Sequence, residues 1–136
     1  MNVQLQRIDQ DFHFEAVGAS GVKVNIDAGE NLGGHNLGAR PMEMILMGLG
    51  GCSAIDVILI LRKQKQKIED LRIEIDAKRA DAVPAPFTNI HIKFFLKGEI
   101  KMSKAEQAVE LSVQKYCSVA TMLEKSATIT HEIILE

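Results

Sequence analysis

Pro41-Met42-Glu43-Met44-Ile45-Leu46-Met47-Gly48-Leu49-Gly50-Gly51-Cys52-Ser53-Ala54-Ile55-Asp56-Val57-Ile58-Leu59-Ile60-Leu61 decides how this chain folds. From Met44 to Leu61 its only ionisable side chain besides the Cys52 thiol is Asp56. Pro41 suits the first position of a helix, where its missing N–H costs nothing, and Glu43 follows where a carboxylate meets the unpaired N–H groups and the helix dipole. Arg40 then takes the N-cap position, which a serine, threonine or asparagine would fill better. The pattern predicts one helix from about Pro41 to Lys65. A helix apolar on nearly every side is buried in protein or in lipid. This one reaches the lower edge of spanning length, about 17–25 residues, and the basic stretch Arg62 to Lys67 follows it. Three glycines, Ser53 and Asp56 argue against lipid, because an intramembrane aspartate needs a partner and no second apolar segment supplies one. The expected role is a core helix, with no membrane partner, whose glycines let another helix approach closely.

Strand patterns flank this helix. Before it, Phe12, Phe14 and Ala16 alternate with His13 and Glu15, and Val22, Val24 and Ile26 alternate after the turn signal Gly18-Ala19-Ser20-Gly21, which predicts an antiparallel meander. Asp27 to Ala39 is glycine-rich without periodicity and reads as a loop. After the helix, Leu71, Ile73 and Ile75 face one way, as do Ile90, Ile92, Phe94 and Leu96, with Ala82 to Pro86 as the extended connection. Ser103 reads as the N-cap of a helix from Lys104, with Glu106 completing a capping box. Ala108, Val109, Leu111, Ser112 and Tyr116 form its inward face. A short helical piece near Ser118–Lys125 leads to a last strand near Thr128–Leu135. Strands, long helix, strands, helices and strand, without repeat or linker, indicate an α+β fold in a single domain spanning 1–136.

Composition narrows the function classes. With 46% hydrophobic and 25% charged residues the chain is ordinary globular material, and a net charge of −2 offers nucleic acid or an anionic surface no general attraction. The first ten residues lack a basic-then-apolar signal segment, so a reducing cytoplasm is the expected setting, where a disulfide is transient or catalytic more often than structural. Two cysteines, Cys52 and Cys117, stand far apart in sequence. No His/Cys spacing resembles a zinc site, since isolated cysteines do not form paired knuckles, and neither metal nor cofactor is expected. The helical glycines are not a phosphate loop. His35, in a glycine-rich loop, reads as solvent exposed, while His13, His91 and His131 lie in strand patterns.

Pro41-Met42-Glu43-Met44, then Gly50-Gly51-Cys52-Ser53-Ala54-Ile55-Asp56, then Lys115-Tyr116-Cys117-Ser118 before a final strand resembles the OsmC/Ohr family, especially its small OsmC-like members. The resemblance spans nearly the whole chain. It implies an intertwined homodimer in which antiparallel sheets wrap two long central helices, with thiol peroxidase chemistry at the dimer interface. It makes Cys52 the peroxidatic nucleophile and Cys117 the resolving thiol. A peroxide, organic or hydrogen peroxide, would be the substrate, and a dithiol or small thiol the reductant.

The activating groups depart from the family pattern. Strong organic-hydroperoxide reductases place a glutamate directly after the helix-starting proline and an arginine in the N-terminal region; here the first position is Met42, and Arg7 is the only arginine between Val3 and Ile26. Glu43 lies nine residues before Cys52, about 180° around a helix axis, and reads as a cap. Asp56, one turn beyond Cys52, would raise the thiol pKa unless Arg40, Lys115 or a partner subunit supplied a cation. Alternatively Asp56 accepts a backbone or hydroxyl donor across the helix pair. Two function classes therefore stay open: a thiol peroxidase, and a non-catalytic dimer of the same fold that binds an apolar ligand or senses redox state.

Overall fold

The expected N-terminal meander is present in the computed structural model, which describes every residue from Met1 to Glu136. Strands β1 (Gln4–Arg7), β2 (Phe14–Val17) and β3 (Lys23–Ile26) pair antiparallel in that order, and Gly21 N–H closes the predicted turn on the Gly18 carbonyl at 3.2 Å. They belong to the first of two compact units, Met1–Leu46; the second is Met47–Glu136.

The loop after β3 is organised by Asp27, which is 1% exposed. Its carboxylate accepts backbone N–H bonds from Ala28 at 2.7 Å and from His35 and Leu37 at 3.1 Å each. Burial by itself pushes this carboxyl up, but the three donors outweigh it and its pKa lies below the ordinary value. The loop doubles back so tightly that a Cβ on Gly34 would fall 2.0 Å from the Ala28 carbonyl oxygen, so only glycine fits there. His35 is exposed, as expected, and pairs with Asp11 at 2.6 Å.

Helix α1 (Pro41–Lys63) begins where the proline places it. The Glu43 carboxylate accepts the Arg40 backbone N–H at 2.9 Å, the return half of a capping box built on a residue that cannot supply the forward half. At the other end Lys65 adopts φ 57°, while Gln66 N–H reaches the Leu61 carbonyl and Lys65 N–H reaches that of Arg62. This is a Schellman closure, and it ends the helix just before the basic residues turn into the next strand.

In the second unit, β4 (Lys67–Arg79) pairs antiparallel with β5 (Phe87–Glu99), setting Leu71 against Leu96, Ile73 against Phe94 and Ile75 against Ile92. Ile90, Ile92, Phe94 and Leu96 are buried and define the inner face. α1 buries Leu49, Ser53, Val57 and Leu61, a line at intervals of four residues, and Gly50 brings its backbone onto β4, where an added Cβ would stand 3.3 Å from Ile75 Cδ1. Each fully buried aliphatic side chain contributes about 1.5–3 kcal/mol. The glycine contact is thus with a sheet and not, within this chain, with another helix; a Cβ on Gly48 or Gly51 would meet nothing.

Three expectations are corrected here. The last strand, β6 (Thr128–Leu135), appears at the expected residues but runs parallel to β5, so this sheet is mixed and not antiparallel. The helical crossover between β5 and β6 is long enough to return the chain in the same direction. α2 (Met102–Leu111) starts before Ser103, with Lys101 as an N-cap that makes no side-chain bond. Its start is tied to the turn that follows α1, the Lys101 N–H donating to Gln66 Oε1 at 3.0 Å, and Ser103 lies inside the first turn. Finally, Tyr116 points outward and is 52% exposed. The cause is a π-helical turn over Ser112–Tyr116, closed by Cys117 N–H on the Ser112 carbonyl at 2.8 Å. A π turn adds one residue to the helical repeat, so the inward place that α spacing gives to Tyr116 passes to Cys117.

Candidate active site

Cys52 and Cys117 arrive from different elements of the second unit. Cys52 sits on α1, one residue before the buried Ser53, and is half-buried; Cys117 is 0% exposed. Both are free thiols, and their sulfurs and an Asp56 carboxylate oxygen all lie within 4.8 Å of one another. Cys117 is also the N-cap of α3 (Ser118–Leu123), with φ −73° and ψ 107°, and its Sγ accepts the Ala120 N–H at 3.4 Å. The π turn therefore does two things: it swings the sulfur inward and releases the backbone for a new helix start.

Two serines missing from the sequence-based site join these groups. Ser53 Oγ donates to Cys117 Sγ at 3.6 Å. Ser112 Oγ lies 3.3 Å from both the Ser53 carbonyl oxygen and Asp56 Oδ2, and its single proton serves one of them at a time. Both serines are fully buried on otherwise apolar faces. That pattern, a hydroxyl recurring on the inward side of two helical segments, was the available signal. It says only that the hydroxyls need partners, not which partners the fold supplies.

Asp56 lies within reach of a hydroxyl donor, Ser112, across the contact between α1 and the π turn. Glu43 serves as the cap expected for it, and Arg40 engages Asn36 and, at 4.0 Å, Glu43. Lys115 lies over its neighbour's ring, 5.4 Å from the Tyr116 centroid. Burial pushes the Cys117 thiol up from its ordinary value; bonds from Ala120 N–H and Ser53 hydroxyl pull it down by less, and the neighbouring Cys52 adds to the rise. Cys117 is consequently held as a protonated thiol. Beside the cluster opens an apolar groove of about 450 Å³, lined by Asp56, Leu59, Ile60, Lys63, Leu111 and Tyr116.

Residues 34–132 match the family model described as OsmC-like protein. The chain is 42% identical over 113 residues to Protein YhfA of Escherichia coli strain K12, a span covering 76% of this chain and 84% of that protein. Among solved structures, a hypothetical protein from Aquifex aeolicus VF5 superposes with TM-score 0.83 at 32% identity, covering 99% of this chain and 96% of that one. An organic hydroperoxide resistance protein from Elizabethkingia anophelis shares the fold, with TM-score 0.74 at 13% identity over 100% of this chain and 97% of its own.

Proposed function

The chain belongs to the OsmC-like family, and from that premise we propose that it is a thiol-dependent peroxidase acting on organic hydroperoxides or hydrogen peroxide through Cys52 and Cys117. The observation that carries this reading is the pairing of two free sulfurs within 4.8 Å, one half-buried and one fully buried. The half-exposed sulfur is the one a peroxide reaches. As thiolate, Cys52 attacks the O–O bond; the distal oxygen stays on sulfur as a sulfenic acid and the other leaves as an alkoxide, or as hydroxide from hydrogen peroxide, that takes a proton to become the alcohol or water. Cys117 then brings its sulfur to the sulfenic acid, a disulfide forms and water departs with the Cys117 proton. A dithiol reductant exchanges through a mixed disulfide, restores both thiols and leaves as its own disulfide.

Holding Cys117 protonated suits this order, because a resolving sulfur that stays neutral does not compete for peroxide before Cys52 has reacted. Ser53 and the Ala120 N–H stand ready to stabilise the thiolate as it forms. The name of the Elizabethkingia neighbour, organic hydroperoxide resistance protein, agrees with this substrate class. The active form in this reading is a homodimer. Ile55 and Leu59 are 62% and 51% exposed on α1, and Gly48 and Gly51 leave open backbone beside which a second copy has room.

The groove beside Asp56 favours a second reading, a non-catalytic dimer of the same fold that binds an apolar ligand or registers redox state through a slow disulfide. Steady-state reduction of cumene hydroperoxide with dihydrolipoamide separates the two. The peroxidase reading requires turnover by the wild type and its loss in Cys52→Ser; equal rates in wild type, Cys52→Ser and Cys117→Ser would leave only the binding reading.

A further inference from the structure

Spacing along the chain rules out paired cysteine knuckles, yet folding assembles a different donor set. Two sulfurs and one carboxylate oxygen, from Cys52, Cys117 and Asp56, lie within 4.8 Å of one another. Tetrahedral zinc, with bonds of ~2.3 Å to sulfur and ~2.0–2.2 Å to oxygen, sets neighbouring donors roughly 3.5–3.8 Å apart, so modest side-chain rotation closes the gap. We propose that the reduced chain binds one divalent zinc ion between Cys52, Asp56 and Cys117, with the fourth position left to water.

The chemistry of the three groups selects the metal. Two thiolates favour zinc over magnesium or calcium, while the carboxylate is a poor ligand for cuprous ion, the other metal that thiolates attract. The surrounding bonds already orient the donors. Ser112 Oγ stands at Asp56 Oδ2, and Ser53 Oγ and the Ala120 N–H aim at Cys117 Sγ, the outer contacts that ligands of a metal site commonly carry. Cys52 and Asp56 stand one turn apart on α1, and Cys117 is fixed as the N-cap between the π turn and α3. Half-burial of Cys52 gives an ion a way in.

Binding moves no electrons. As the ion enters, each thiol gives up its proton to solvent, and Asp56 enters as carboxylate. The inference rests on the arrangement of donors and does not require that the chain turn over peroxide.

The test titrates cobalt(II), then zinc, into the full-length reduced protein without oxygen. One cobalt per chain is expected, with a sulfur-to-cobalt charge-transfer band and the visible absorption of a tetrahedral site, both erased by zinc. Cys52→Ser and Cys117→Ser should each remove at least half of the charge-transfer intensity, and Asp56→Asn should weaken binding by about 10-fold or more. Circular dichroism confirms that the variants fold. Calorimetry in buffers of different ionisation enthalpy adds an independent measure, with protons released as zinc binds. Absence of the charge-transfer band, its undiminished intensity in either cysteine variant, or unchanged affinity in folded Asp56→Asn would overturn the proposal. Metal binding without peroxide turnover would sink only the peroxidase reading, and turnover without metal binding only this one.

Discussion

Ser112 Oγ stands 3.3 Å from Asp56 Oδ2, giving the single acidic side chain of an otherwise apolar helical run a hydroxyl donor from a π turn that lies far along the chain. The same turn delivers Cys117 to Cys52. One local irregularity thus satisfies the buried edge of α1 and assembles the sulfur pair.

Ser112→Ala removes that donor and leaves Asp56 and the Ser53 carbonyl without it. Loss of one intramolecular hydrogen bond costs about 0.5–1.5 kcal/mol, so the urea midpoint should fall accordingly with an unchanged slope. An unaltered midpoint would mean that solvent already supplies the bond.

Deleting Gln114, an exposed residue inside the π turn, restores ordinary helical spacing and leaves Cys117 four residues after Ser112, at the inward place that α spacing provides. The deletion variant should keep its helical circular dichroism and both thiols and still form the intramolecular disulfide when exposed to peroxide, as judged by intact mass. Loss of the disulfide in the folded variant would show that helical spacing alone does not set the geometry.

Glu43→Ala removes the acceptor of the Arg40 N–H. Loss of a helix cap costs typically about 1 kcal/mol, and rescue by Glu43→Gln, which keeps an acceptor at that position, distinguishes capping from charge. Thermal or urea denaturation of the three proteins reads the difference.

The raised pKa of Cys117 fixes a sign. Its folded-state value lies above the ordinary 9.0, so the folded state retains a proton that the unfolded chain releases; the stability it contributes is full below that pH and is lost as pH rises toward the folded value. Reduced protein should therefore lose stability through this group on the alkaline side of pH 9.0, and Cys117→Ala should flatten that limb. Iodoacetamide mapping should find Cys52 alkylated first at every pH where the protein stays folded.

Much of this architecture is readable from residues alone. Alternation in Phe12 to Ile26 and in Leu71 to Leu96 identifies strands, Pro41 marks the start of α1, and Thr128–Leu135 falls where β6 is found, because these patterns depend on local periodicity. What sequence pattern does not carry is set by tertiary contact. The parallel pairing of β6 follows from the crossover, the early start of α2 from a bond to Gln66, and the outward turn of Tyr116 from a π turn with no composition of its own. The site divides the same way. Cys52 and Cys117 could be named from the family resemblance and Asp56 from its place one helical turn beyond Cys52, whereas Ser53 and Ser112 acquire meaning only once α1 and the π turn touch.

The most direct test of the sulfur pair is a single turnover. Fully reduced protein is mixed with one equivalent of cumene hydroperoxide, quenched with an alkylating agent and weighed intact and as peptides. The account predicts loss of both free thiols and a Cys52–Cys117 disulfide in the wild type, a sulfenic acid at Cys52 in Cys117→Ser, and an unmodified Cys117 in Cys52→Ser. Two unreacted thiols in the wild type, or oxidation that begins at Cys117, would contradict it.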